Sequence, residues 1–430
     1  MFCLYFKKLG GRAILGRFIV DGGAHLKGEV KINGAKNAAL AIIPATLLSK
    51  KPCVISNLPN ISDVDLSFQI LKTMGAKIEK QDEHSVMIDT STVHKTEVPF
   101  ELAMKMRASY YYLGALLARF KEANVAMPGG CNFGVRPINL HLKGFESLGA
   151  NYEIDGGIIR LRTTNLTGAK IYFDVVSVGA TINILLAATT ADGVTIIENA
   201  AKEPHIVDLA NFLNSIGANI IGAGTNIIKI KGVKELNSSD YTIIPDQIEA
   251  GSYMAMAAVT RGDVLIKDVT PKHLESIVNK MESIGLKIKK YDSSLHILSD
   301  GDLEKADVTS QAYPGFPTDM QPQITAVLTF AKGTSIVTEG IWDNRFQYVG
   351  ELCRMGAAIT VDGKVAVVEG GKILKAAPVE ACDLRAGAAL IVAALGAKGQ
   401  TEIKNTRYIE RGYEDIVGKL TALGASIKKV

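Results

Sequence analysis

The chain has 430 residues, 47% of them apolar and 21% charged, which is enough apolar content to bury cores along most of its length and excludes wholesale disorder. Its net charge of +4 is small, no block of roughly five or six like charges reads as a nucleic-acid arm, and the longest apolar stretches, around 38–48 and 387–396, fall short of the ~18 residues of a membrane span. The composition therefore predicts a soluble, cytoplasmic protein with neither nucleic acid nor membrane as partner.

In chain order, residues 1–13 come first. Their apolar part is too short for a secretory signal, so they read as a leader of uncertain order. From there a short phrase recurs: an apolar residue, Gly, usually Ala, one further residue, and an apolar or aromatic one. Its six copies are MGAKI, LGANY, IGANI, IGLKI, MGAAI and LGASI, with glycines Gly75, Gly149, Gly217, Gly285, Gly356 and Gly424 spaced by 74, 68, 68, 71 and 68 residues. Before these glycines the apolar residues fall at helical spacing, as with Val64, Leu71 and Met74 or Ile206, Leu209, Leu213 and Ile216. Glycine just past the last apolar turn is a left-handed stop. After it, alternating apolar residues in 77–88, 219–230 and 294–298 predict half-buried strands, closed by turns such as Asp155-Gly156-Gly157 and Asp362-Gly363.

Each unit also carries an upstream segment rich in small apolar residues, at 37–48, 108–118, 179–189, 249–259, 321–330 and 386–395. Low charge all round predicts buried helices. Several of these segments lead into β-branched runs such as 194–197 and 263–266. The repeat is thus strand, buried helix, strand, outer helix, strand, strand. Six such βαβαββ copies predict an α/β fold of two lobes, three repeats in each, with sheets outside and helices inside: a two-lobed inside-out α/β barrel. A single α/β solenoid is the other architecture the repeat allows.

Unusual polar residues fall at the entries of the buried helices: Lys36 and Asn37 at the first, Arg107 at the second, Ser177 and Gly179 at the third, Asp246 and Glu249 at the fourth, Asp319 at the fifth and Arg385 at the sixth. Capping explains Ser177. It does not explain cations, because positive charge at a helix N-terminus is unfavourable by a few tenths to ~1 kcal/mol; an anionic ligand does. With Arg136, Arg345 and Arg411, these cations suffice for a small polyanion carrying phosphate and carboxylate. The stretch 128–137, with three glycines and a proline at each end, places Cys131 and Arg136 together in a mobile loop, where nearby cations favour thiolate character. Cys131 is then a candidate general acid or nucleophile. Asp319, at a proline-stiffened helix start, suits a general base. Cys53, Cys353 and Cys382 read as buried, inert thiols; with Cys3 and Cys131 they make an odd set without C-x-x-C spacing, which predicts a reducing compartment and no disulfide framework or zinc site. No metal-ligand spacing and no nucleotide-phosphate loop motif is present, so neither metal nor cofactor is expected.

The motifs Gly34-Ala35-Lys36-Asn37-Ala38-Ala39-Leu40, Met106-Arg107-Ala108-Ser109, 128–137, Ser177-Val178-Gly179-Ala180-Thr181, 198–204, 316–321, Asn344-Arg345-Phe346, Asp383-Leu384-Arg385 and Arg411-Gly412-Tyr413-Glu414 come in one order along the chain. Together they resemble the UDP-N-acetylglucosamine 1-carboxyvinyltransferases, of the enolpyruvyl transferase family, from about Phe18 to Val430. The resemblance implies transfer of enolpyruvyl from phosphoenolpyruvate to the 3-hydroxyl of UDP-N-acetylglucosamine, with release of phosphate, at the first committed step of peptidoglycan precursor synthesis. It implies that Lys36, Arg136 and Arg411 hold the phosphate, with Arg345 and Arg385 near the carboxylate. Asn37 and Asp319 would meet the sugar, with Asp319 the base on its hydroxyl. Cys131 would protonate the donor methylene or carry a covalent adduct. Arg107, the runs Pro137, Ile138, Asn139, Leu140, His141 and Val176, Ser177, Val178, Gly179, and Ile341 would line the nucleotide site. The lobes are expected at 36–244, with the Cys131 loop, and at 14–35 plus 245–430, in a protein read as a monomer.

Asn139, Val175 and Gln247 depart from the family's commoner residues, which bears on nucleotide affinity more than on reaction type. The sister class acting on shikimate 3-phosphate, and a catalytically silent relative that only binds the nucleotide sugar, are the alternative readings.

Overall fold

The computed structural model describes residues 16–127 and 138–430. Its strands form six separate sheets, five of four strands and one of three. One sheet illustrates the construction. Strand Lys170–Tyr172 lies parallel to Val194–Glu198 with Ile171 opposite Ile197; between them the chain passes through the helix Val178–Ala188. The helix Pro204–Ser215 follows, and then the hairpin Asn219–Ile221 and Ile227–Lys231 pairs antiparallel on the other side of Val194–Glu198. In Ile227–Lys231 the residues Ile228 and Ile230 face the core while Lys229 and Lys231 face out, so a period of two decides which face is buried.

Among the described residues, six helices are buried almost completely: Lys36–Ala45, Tyr111–Phe120, Val178–Ala188, Gln247–Val259, Gln321–Leu328 and Leu384–Gly396. They are called the first to sixth inner helices below. Small side chains let them approach closely; the second packs on the first and the third, and the fourth, fifth and sixth pack on one another. The outer helices end within two residues of the six repeated glycines, and all six glycines take positive φ, between 88° and 113°.

Two hydrophobic clusters result. One runs from Ala35 to Ile243, the other from Phe18 to Ile32 and from Ile248 to Ile427. Between them the chain exchanges two strands. Lys27–Lys31 pairs parallel with Asp263–Lys267 in the second lobe, whereas Asp240–Thr242 pairs parallel with Cys53–Ser56 in the first. The two crossings lie side by side: the Ala35 amide donates to Ile244 O at 2.7 Å and the Asp246 amide to Asn33 O at 2.9 Å. Gly34 is required here, since a Cβ at that position would sit 1.7 Å from Asn57 O.

Two expectations need correcting. Cys53 is buried, but Cys353 and Cys382 are exposed: Cys353 is an outward-facing position of the short helix Val349–Arg354, between buried Leu352 and Met355, and Cys382 directly precedes the Asp383 helix cap. Arg107 opens a tight 3-10 turn, Arg107–Tyr110, ahead of the second inner helix rather than the helix itself.

Candidate active site

The lobes meet at the N-terminal ends of inner helices, and one carboxylate sets their position. Asp246 caps the fourth inner helix, its Oδ1 accepting from the amides of Ile248 (2.7 Å) and Glu249 (3.1 Å). Its Oδ2 accepts from the Lys36 amide at 3.1 Å, which ties the first helix of one lobe to the first helix of the other. Asn37, in the next position, lines a small cavity with His205, Asp246, Gln247 and His273.

The Lys36 ammonium, 2.7 Å from Asp63 Oδ2, is one of two cations on that carboxylate. Arg411, from the second lobe, reaches Asp63 Oδ1 through Nε (2.8 Å) and Oδ2 through Nη2 (3.2 Å). Burial pushes the Asp63 carboxyl up, but Lys36 and then Arg411 more than offset this and hold it below its ordinary value. Lys36 is moved down, chiefly by burial, with Arg411 and Arg385 adding to the effect against Asp63.

The second carboxylate is Asp319, in the turn Thr318–Met320 that leads into the fifth inner helix. Arg385 Nη2 lies 3.1 Å from its Oδ2 and Arg345 Nη2 3.5 Å from its Oδ1. Burial raises this carboxyl too, yet the field of Arg385, then Arg345, with a contribution from Arg107, holds it well below the usual carboxylate range. Asp383 caps the sixth inner helix by accepting from the amides of Arg385 and Ala386, which offsets the cost of a cation in that first turn. Glu339, 1% exposed, accepts from Thr318 Oγ1 and from the amides of Ile341 and Trp342, fixing the turn that carries Ile341.

Arg107 links this patch to a second one. Its guanidinium lies over the Trp342 ring of the opposite lobe at 5.3 Å. Behind it, Tyr110 packs edge-on against His141 at 5.0 Å. Asn183 Nδ2 lies 2.9 Å from His141 Nδ1, so that nitrogen accepts and Nε2 carries the proton. Burial alone pushes the His141 imidazole down to about 4, leaving it neutral near pH 7. Ser177 caps the third inner helix through its Oγ, and Gly179 in the first turn lets the backbone approach His141, whose Cε1 would lie 2.8 Å from an added Cβ. Asn139 and Leu140 begin the adjacent helix Asn139–Ser147, just after Ile138, and Val176 packs on the first core. The cations Lys36, Arg107, Arg345, Arg385 and Arg411 thus gather around Asp63 and Asp319, an arrangement suited to an anion of several charges. Cys131, Arg136 and Pro137 lie outside the described residues.

Sequence reasoning missed Asp63, Trp342 and Glu339. An acidic residue in the first turn of the helix Ser62–Met74 reads as a dipole partner; only its 3% exposure marks it as an internal counterion. Glu83, His84 and Glu414 also converge, with ligand atoms within 4.8 Å of one another. The Glu414 carboxylate there is already engaged by His84 (2.8 Å), the Asn60 amide (2.8 Å) and Asn33. No helix among the described residues is long and apolar enough to cross a membrane.

A family model described as EPSP synthase (3-phosphoshikimate 1-carboxyvinyltransferase) matches residues 20–420. The chain belongs to this family of carboxyvinyltransferases. It is 53% identical over 414 residues to UDP-N-acetylglucosamine 1-carboxyvinyltransferase 3 of Caldanaerobacter subterraneus subsp. tengcongensis, covering 96% of this chain and 99% of that one. It is 52% identical over 412 residues to UDP-N-acetylglucosamine 1-carboxyvinyltransferase of Clostridium botulinum, with the same coverages. Among solved structures it is similar to the enolpyruvyl transferase NikO from Streptomyces tendae, with a TM-score of 0.89 at 24% identity over 96% of this chain and 99% of that one. It is also similar to EPSP synthase from Acinetobacter baumannii, with a TM-score of 0.74 at 18% identity over 96% and 100%. These structural likenesses bear on the fold.

Proposed function

We propose that the protein transfers the enolpyruvyl group of phosphoenolpyruvate to the 3-hydroxyl of UDP-N-acetylglucosamine, releasing phosphate, in the cytoplasm and as a monomer, at the first committed step of peptidoglycan precursor synthesis. The observation that carries this reading is the cationic cluster at the lobe seam, in a chain about half identical to relatives named for that activity. The working unit is an inside-out barrel pair of six βαβαββ repeats, residues 36–244 facing 14–35 plus 245–430 across the seam.

The sugar hydroxyl adds to C2 of the donor while a proton enters at C3; loss of phosphate and of a C3 proton then restores the double bond. Lys36, Arg136 and Arg411 hold the phosphate, and Arg345 and Arg385 the carboxylate, so that negative charge in the tetrahedral intermediate meets cations already in place. Asp319 takes the hydroxyl proton and Cys131 supplies the one at C3, or forms an adduct with the donor. Paired with two arginines, Asp319 is a weak base. A donor carboxylate that takes over Arg345 and Arg385 removes those partners and raises its basicity as the reaction begins. Arg107, 137–141, 176–179 and Ile341 hold the nucleotide, and Asn37 the sugar.

Phosphate release from phosphoenolpyruvate, measured separately with UDP-N-acetylglucosamine and with shikimate 3-phosphate, tests the reading. Turnover with the first alone supports it. Turnover with the second only, or none with either, refutes it.

A further inference from the structure

The interior of the second lobe carries a polar chain whose presence in an apolar core needs a reason. Ser252 of the fourth inner helix and Gln323 of the fifth are fully buried, and Tyr413, 2% exposed, meets both. The Tyr413 hydroxyl lies 2.7 Å from Ser252 Oγ. Ser252 commits its own proton to Ile248 O at 2.7 Å, so the phenol must donate to Ser252. Gln323 Nε2 donates to both oxygens, at 3.2 Å to Ser252 and 3.3 Å to Tyr413. With its proton spent and its orientation set, the phenol oxygen accepts from Arg385 Nη1 at 3.4 Å. The guanidinium also lies 5.7 Å from the Tyr413 ring centre. All three inner helices of the lobe thus converge on one side chain of the candidate site.

We propose that Tyr413 is a positioning residue for the donor site, holding the Arg385 guanidinium from within the core while Arg385 exchanges Asp319 for the carboxylate of phosphoenolpyruvate. Arg385 has two kinds of acceptor: Asp319 at Nη2 and Tyr413 at Nη1. An incoming carboxylate competes for the first. The second is anchored to a helix backbone and keeps the guanidinium in place during the exchange. The same short stretch carries Arg411 onto Asp63, so a single segment serves both ends of the anion site. The inference rests on the functional reading above.

The test compares wild type, Tyr413→Phe and Ser252→Ala for phosphoenolpyruvate binding by calorimetry, for KM of each substrate, and for thermal midpoint. Tyr413→Phe is expected to weaken phosphoenolpyruvate binding and raise its KM by roughly ten-fold or more, the scale of a hydrogen bond to a charged group, while the KM for UDP-N-acetylglucosamine changes less than about two-fold. Ser252→Ala, which keeps the phenol but removes the acceptor that orients it, gives a smaller change of the same sign and serves alone should Tyr413→Phe not fold. Unchanged phosphoenolpyruvate binding in both variants, or an equal loss for both substrates, overturns the proposal. Should wild type bind phosphoenolpyruvate yet fail to turn over with UDP-N-acetylglucosamine, the functional reading falls and the binding comparison still decides the role of Tyr413.

Discussion

Replacing Asp63 with Asn removes the counterion shared by Lys36 and Arg411 and leaves the shape of the site intact. The side chains concerned are 5%, 10% and 17% exposed for Asp63, Lys36 and Arg411, so water screens the loss poorly. Breaking a buried pair by removing one partner costs about 3–5 kcal/mol, and for a lobe of this size each kcal/mol lowers the thermal midpoint by about 2–4 °C. The expected drop is about 6–20 °C, read by differential scanning calorimetry. Inorganic phosphate should restore more stability to Asp63→Asn than it adds to wild type, because it supplies the missing negative charge to the same two cations. The folded carboxyl of Asp63 lies below its ordinary 3.8, so its stabilisation is present above that pH and disappears as pH falls through the folded value. The gap between wild type and variant is therefore constant near neutrality and closes in acid. A midpoint within about 1 °C of wild type, or equal gains from phosphate in both proteins, would refute the reasoning.

Three other perturbations probe different parts of the molecule. Gly179→Ala drives a methyl to 2.8 Å from His141 Cε1 and 2.9 Å from Tyr110 Oη; a loss of about 1–3 kcal/mol in chemical denaturation is expected, with the KM for the nucleotide sugar rising more than that for phosphoenolpyruvate. Asp208, 2% exposed, is pushed up to about 6 by burial, against hydrogen bonds from Tyr241 and the Ile244 amide. A raised carboxyl favours the fold below its ordinary pKa and loses that contribution as pH rises through about 6. Asp208→Asn should therefore gain on wild type between pH 5 and pH 8 by about 1–1.5 kcal/mol, roughly one pKa unit's worth, and denaturation curves showing no pH-dependent difference would count against it. Trp342 is the single tryptophan, and Arg107 of the opposite lobe covers its ring. Arg107→Ala should shift its emission to the red, whereas an unchanged spectrum would mean that the contact does not persist in solution.

The helix stops and the strand pattern were legible because they are local. Left-handed glycines at Gly75 through Gly424, alternating Ile228 and Ile230, and charge-free inner segments are properties of neighbours in the chain, and each has one good conformational solution. The cations Lys36, Arg107 and Arg385 were legible for a related reason: each lies at or beside the start of an otherwise apolar inner segment, where burial without a partner is costly. Cys382 misled because residue type suggests burial, while position at a helix entry decides exposure.

By itself the sequence determined the glycine helix stops, the identity of the inner helices and the charged groups available at their entries, since these follow from backbone sterics and short-range periodicity. Only the tertiary structure decided which lobe takes the strands Lys27–Lys31 and Asp240–Thr242, and that Asp63 serves Arg411 348 residues away. It likewise decided that Asp319 lies between Arg345 and Arg385, and that Ser252, Gln323 and Tyr413 stand behind Arg385. Ion pairs and hydrogen bonds depend on separations of a few ångströms in space, and nothing in the local spacing of residues encodes those distances.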